Sequence, residues 1–452
     1  MPTDTSQHEL GSERIPRLLF RYALPSIIAM TATSLYNLVD SIFIGQGCGA
    51  LAIAGLAITF PFMNLSAAFG AMVGVGGGTL ISVKMGQNNI ASAERTLGNV
   101  VILNVVISLA FMALALAYMD SILMFFGASE ATLPYARVYM RILMYGNVLS
   151  HTYLGLNDAI RSSGYPKRAM AATLTAVLLN IVFDYLFIMV CDMGIAGAAV
   201  GTLVAQVVAF ALQMIHFSNR RTYLRFHRGI FRPDRKIAGG ILSIGLAPFL
   251  IHCCACLVVM LINNGLQTYG GDLYVGAYGI DNRVMFIFLM VVQGFNQGTQ
   301  PIVGYNYGAG KLTRSVGAYK LNVLCATVVT CICFAACESM PGWIVSWFTN
   351  DAALTEIATH ALRIMATMMP LVGFQMASVS FFTSLGKAHK SIFLSLTRQL
   401  IFLVPFLIVL PSFMGTDGIW YSLPLADLVS VITTAIMIYL QLRTFRRSSQ
   451  PQ

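Results

Sequence analysis

Apolar runs of bilayer-spanning length recur from near the start of this chain to its end, and they constrain its fold more than any other feature. A helix needs about 20 consecutive, mainly apolar residues to cross a hydrocarbon core. Runs of that order cover 17–43, 51–81, 97–118, 134–159, 168–190, 194–217, 238–265, 275–305, 317–340, 357–384, 390–411 and 417–441. Turn residues separate them, among them Gly45, Gly86, Gly127, Gly194, Gly308, Gly386 and Gly415. The pattern predicts an all-α integral membrane protein with twelve transmembrane helices. Composition agrees. Only 10% of residues are charged and 57% are hydrophobic, against roughly 25% charged in soluble proteins. So few charges cannot cover a surface facing water, so most of the outside faces lipid.

The formal net charge is +10. A basic balance can mark a nucleic-acid binder, but the position of the charges decides. Of the 28 Lys and Arg residues, 23 fall in alternate loops, with seven packed between Arg220 and Lys236. The opposite loops carry Asp120, Glu130, Asp192, Asp272, Glu338, Asp351 and Asp417. This is the positive-inside pattern, so both termini are expected in the cytoplasm and no nucleic acid is expected as partner. The nine cysteines lie in or beside apolar runs, with no His or Cys at zinc-finger spacing, and read as small buried hydrophobes.

The two halves resemble each other at an offset of 220 to 224 residues. Pro25 pairs with Pro248, Gly55 with Gly279, Gly78-Thr79 with Gly298-Thr299, Arg141-Ile142 with Arg363-Ile364, and Gly164 with Gly386. The expected organisation is an N-terminal lobe over 1–217, a basic cytoplasmic linker over 218–237 and a C-terminal lobe over 238–452. Six helices per repeat is an even number, so both lobes enter the membrane the same way round. Two pseudo-symmetric lobes then share a pseudo-twofold axis along the membrane normal, an arrangement typical of transporters.

Ionisable groups inside a bilayer are costly and mark function. The first span holds Tyr36, Asn37 and Asp40 on one helix face, the fifth holds Asn180 and Asp184, and the sixth holds Thr202. Asp40 lies roughly 8 Å, and Asp184 and Thr202 roughly 12 Å, from the outer ends of their helices at 1.5 Å per residue. Oxygen groups thus reach similar depth from three helices. Two carboxylates, an amide and a hydroxyl suit Na⁺ and suit a proton equally. At the repeat offset these positions become Asn263, Phe402, Phe406 and a residue near Leu423, so the acidic chemistry is expected in the N-terminal half alone. Asp427 in the last span and Arg398 in the one before are within reach of each other, as an ion pair or as a contact for a cationic substrate. No Ser/His/Asp order, His-rich metal box or phosphate-cradling loop is present, so an enzyme is not expected.

Several stretches, taken in order, resemble the multidrug and toxic compound extrusion (MATE) family: Ala23-Leu24-Pro25, Tyr36-Asn37-Leu38-Val39-Asp40, Arg161 to Lys167, Asn180 to Asp184, Gly194 to Thr202, and Gln300 to Gly308. The likeness runs over roughly residues 15–445. It implies a V-shaped pair of six-helix lobes in the inner membrane. It also implies export of amphipathic cationic drugs by a monomer, in exchange for inward H⁺ or Na⁺ and with no other cofactor. Residues matching Asp40, Asn180, Asp184 and Thr202 form a cation site in family members. Tyr36, Tyr139 and Asn157 match its neighbours, although depth puts Asn157 too far inward to be a direct ligand. Pro25 matches a bending proline of the first helix. One branch adds a glutamate in the seventh helix, where this chain has Pro248 to Cys253 and no acid. A lipid-linked saccharide flippase of the same superfamily is the alternative. It would line its cavity with several arginines for pyrophosphate, and here only Arg398 sits deep.

Overall fold

The computed structural model describes residues 6–219 and 222–448, with the side chains of 6–8, 37, 38, 50 and 448 outside the described set. No β-strand occurs among the described residues. The first half contains α1 (Ser6–Ser12), α2 (Ile15–Cys48), α3 (Ala50–Gly86), α4 (Ile90–Ala117), α5 (Met119–Phe125), α6 (Leu133–Tyr145), α7 (Asn147–Ser162), α8 (Pro166–Asp184) and α9 (Ile195–Ser218). The second contains α10 (Arg235–Tyr269), α11 (Asp272–Gly308), α12 (Leu312–Ser339), α13 (Pro341–Ser346), α14 (Ala352–Ala366) and α15 (Met369–Ser384). It closes with α16 (Ala388–Leu396), α17 (Val404–Val409), α18 (Pro411–Met414) and α19 (Thr416–Ser448). Two π-helical segments, Tyr185–Val190 and Thr397–Leu403, follow α8 and α16.

Local chemistry starts these helices where the sequence changes character. Asn89 accepts from the Ser92 N–H at 3.0 Å and caps α4, and Asp351 accepts from the Leu354 N–H at 3.0 Å and caps α14. Pro134, Pro166 and Pro341 stand in the first turns of α6, α8 and α13, where their missing N–H costs nothing. Among the described residues all nine cysteines are free thiols.

Among the described residues ten helical stretches are long and apolar enough to cross a membrane, with α8 joined to its π-helical segment and α16 to α18 forming one stretch, and the bent pair α14–α15, with 52° between its parts, makes an eleventh. The remaining expected span, 134–159, is the pair α6–α7, interrupted at Gly146. Its two parts, of 13 and 16 residues, are each shorter than a full span.

The chain forms two compact units. One comprises residues 1–13, 28–249 and 308–310, the other 14–27, 250–307 and 311–452. The divisions fall inside α2 and α10, each just beyond a proline, Pro25 or Pro248. Glycine allows the close packing in both units. In the first, Gly245 of α10 meets the Met72 carbonyl of α3, and Gly76 of α3 meets the Ile241 carbonyl. In the second, a Cβ at Gly298 of α11 would stand 2.5 Å from the Ala23 Cα, and one at Gly294 would crowd Ile27. The first unit holds its membrane helices around apolar clusters such as Ile44, Tyr139, Leu143, Ile188 and Ala198. The second is centred on Trp420, Ile262, Leu266 and Leu407 and on a separate group around Leu362.

Candidate functional site

Four of the expected residues meet in the first unit. Asp40 comes from α2, Asn180 and Asp184 from successive turns of α8, and Thr202 from α9. All but Thr202 are buried, with Asp184 fully enclosed. Gly201 makes this possible: a Cβ there would lie 2.8 Å from the Asp184 carboxyl oxygen, so only a bare backbone lets α9 approach α8 so closely.

The bonding links three helices. With its carbonyl toward α9, Asn180 accepts from the Thr202 N–H at 3.0 Å and from its hydroxyl at 3.1 Å, and its NH₂ donates to Asp184 at 3.2 Å. The Tyr36 and Thr202 hydroxyls lie 3.3 Å apart, which ties α2 to α9. The Thr202 hydroxyl is also 3.1 Å from the Ala198 carbonyl, so its one proton faces two acceptors. The carboxyl groups of Asp40 and Asp184 are in hydrogen-bonding contact with each other. The other Asp40 oxygen, Oδ1, has no hydrogen-bond partner among the described residues. Neither carboxyl takes part in an ion pair among the described residues.

Tyr139 of α6 is buried and within electrostatic reach of Asp40, Tyr36 and Asp184. It belongs to the apolar cluster with Ile44, Ile188 and Ala198, each one helical turn from Asp40, Asp184 or Thr202, toward the C-terminal ends of α2 and α8 and the N-terminal end of α9. That cluster closes the polar group on this side. The Asn37 side chain lies outside the described residues. Asn157 is not part of the group: it donates to the Ala169 carbonyl at 3.0 Å and to the Thr173 hydroxyl at 3.2 Å, joining α7 to α8. Thr173 stands seven residues before Asn180, roughly 10 Å along α8. Pro25 lies in α2 fifteen residues before Asp40, roughly 22 Å away.

In the second unit, Arg398 donates from Nε to Asp427 Oδ1 at 2.6 Å, with 27% and 12% of the side chains exposed. The repeat counterparts of the acidic group, Phe402, Phe406 and Leu423, pack on the apolar cluster around Trp420. The polar chemistry is therefore not duplicated there.

Sequence reasoning passed over two further features. In the first unit, Ser66 of α3 donates to Asn147 Oδ1 at 2.8 Å and lies 3.0 Å from His151 Nε2, with both partners buried in α7. In the second unit, Asp281 of α11 is fully enclosed. An acid within the expected span 275–305 was the available signal for it.

A family model described as MatE matches residues 25–186 and 248–409, two stretches that begin at the prolines pairing the repeats. The multidrug export protein MepA of Staphylococcus haemolyticus is 25% identical over 423 residues, which is 94% of this chain and 93% of that protein. MepA of Staphylococcus aureus (strain MRSA252) is 23% identical over 424 residues, with 94% and 93% covered. Among solved structures, the MATE multidrug transporter DinF-BH, in complex with a dye, superposes with a TM-score of 0.89 at 32% identity, covering 96% of this chain and 98% of that one. A transporter of the MOP superfamily from Pyrococcus furiosus, described as having a binding pocket of reverse polarity, shares the fold with a TM-score of 0.92 at 24% identity, with 99% of each chain covered.

Proposed function

The chain belongs to the MatE family of membrane transporters, and on that premise we propose that it is a secondary active multidrug exporter, driving amphipathic organic cations outward in exchange for protons taken up by Asp40 and Asp184. One observation carries this reading: two enclosed carboxyl groups interact with each other, and neither has an ion-pair partner among the described residues. Two unit charges at ~4 Å repel by about 4 kcal/mol at an effective dielectric of 20. A pair so placed calls for a cation, and a single proton held between the two carboxyls meets the need.

The neighbouring groups support a proton over sodium. A sodium ion takes oxygen ligands, but the Asn180 carbonyl is engaged by Thr202 and the amide turns its NH₂ toward Asp184. Asn180 steadies one carboxyl, while Tyr36 links the helix bearing the other to α9. Loading and unloading the pair then changes the charge on α2. Pro25 interrupts one backbone hydrogen bond of that helix and gives it a place to bend, so the charge state can bias its shape. A drug is exported when it favours the shape that the proton disfavours. The Arg398–Asp427 pair satisfies both of its own charges and reads as a structural tie of the second unit. The basic loops support cytoplasmic termini in a cell inner membrane, and a monomer suffices for this mechanism, since the carboxyl pair is complete within one chain.

The test is transport of a fluorescent organic cation into proteoliposomes under separately imposed gradients. A pH gradient should drive accumulation with no Na⁺ present. Accumulation only under a Na⁺ gradient assigns the site to sodium, and accumulation under neither refutes ion-coupled export.

A further inference from the structure

Asp281 of α11 has no exposed surface, and neither of its carboxyl oxygens has a hydrogen-bond partner among the described residues. Its helix neighbours one turn away, Ala277, Val284 and Met285, belong to a buried cluster that includes Cys333 and Cys337 of α12, Val345 of α13, and Ala358 and Leu362 of α14. The titratable groups near it come from α12. The Cys337 thiol is within its electrostatic reach, the free Cys333 thiol interacts with that of Cys337, and Glu338 acts on Cys337 in turn. Arg283, two residues along α11, points to the exposed side. Val345, Ala358 and Leu362 are what α13 and α14 add to this cluster.

A carboxylate enclosed by hydrocarbon and thiols, with no cation, keeps its full desolvation cost. The carboxylic acid is neutral and fits the same surroundings at a small fraction of it. A structural role would be filled as well by leucine or asparagine, whereas an acid here changes charge whenever the cluster opens to water. We propose that Asp281 is a second proton-binding site, carried by the compact unit that does not hold Asp40 and Asp184. The step is a proton transfer alone. The carboxylate takes a proton from hydronium, forming an O–H bond and leaving water, the acid is enclosed, and the same bond breaks when water reaches it again and carries the proton away as hydronium; no electrons change hands. The inference rests on the reading of proton-driven export and extends it to a second proton per cycle.

A hydrophobic carbodiimide tests it, because it forms a stable N-acylurea with protonated carboxyls in apolar surroundings. In full-length protein carrying Asp40→Asn and Asp184→Asn, mass spectrometry should find the adduct at Asp281 in acid and lose it as the pH rises. No adduct at any pH, or one that does not change with pH, overturns the proposal. In proteoliposomes, the drug gradient at which flux reverses under a fixed pH gradient gives the proton-to-drug ratio. Asp281→Asn should lower that ratio by one proton, and Asp281→Glu should restore it. An unchanged ratio in Asp281→Asn overturns the proposal; if that variant does not fold, the adduct decides. The two readings fail separately. Uphill transport that survives Asp40→Asn removes the proposed coupling site whatever Asp281 does. A missing adduct beside a coupling-dead Asp40→Asn removes only this inference.

Discussion

Replacing Asp40 with Asn keeps the size of the side chain and removes one charge from a pair in direct contact. The repulsion between two such charges is about 4 kcal/mol at ~4 Å and an effective dielectric of 20, or about three powers of ten in the equilibrium between loaded and unloaded pairs. That factor is what lets a proton decide the state of α2. With Asp40→Asn the pair carries at most the charge of Asp184, and the factor vanishes. The expected result in proteoliposomes is loss of uphill drug accumulation under a pH gradient, by about 100-fold or more given that electrostatic factor. Drug-for-drug counterflow, which needs no net proton movement, should stay within about twofold of wild type, because a pair holding only the Asp184 charge resembles the pair loaded with one proton. Counterflow also reports that the variant is folded and inserted. Two results refute the reasoning. If Asp40→Asn builds the wild-type drug gradient, the contact between carboxyls is not the coupling element. If it loses counterflow together with coupling, Asp40 holds the fold.

Other expectations follow from the same geometry. Pro25→Ala should keep proton binding, read as proton release on adding drug, while slowing export, because an uninterrupted α2 loses its preferred bend; export at the wild-type rate removes Pro25 from the mechanism. Arg398→Ala leaves Asp427 without its cation and should destabilise by about 3–5 kcal/mol in thermal or denaturant unfolding. The double change with Asp427→Leu should recover most of that loss, and no recovery would mean the pair does not act as a unit. Gly298→Val places a branched side chain against the Ala23 backbone and should cost about 1–3 kcal/mol or more, since backbone cannot move aside as a side chain can. The same change at Gly279, where a Cβ meets open space, should be nearly neutral. Equal effects at the two sites would refute the close approach of α2 and α11.

The broad architecture was legible because it depends on one-dimensional quantities. The length of an apolar run decides whether a helix spans, and the helical period decides which residues share a face. Hence the spans, the repeat beginning at Pro25 and Pro248, and the juxtaposition of Asn180 with Asp184 could be read from the chain alone. The break at Gly146 was harder to see, because the run 134–159 reads as one span and the bend within it comes from packing. Partners across helices were another matter. Depth counting brought Asp40, Asp184 and Thr202 to a similar level, but only packing turned them toward one another. The bare Gly201 sets the distance between α8 and α9, and the rotation of α2 aims Tyr36 at Thr202. The same three-dimensional packing turned Asn157 toward α8, tied Arg398 to Asp427, and enclosed Asp281 among apolar side chains without a hydrogen-bond partner among the described residues. Periodicity says which way a side chain points around its own helix. What it meets there depends on the tilt, rotation and offset of the next helix, and these come from side chains far along the sequence.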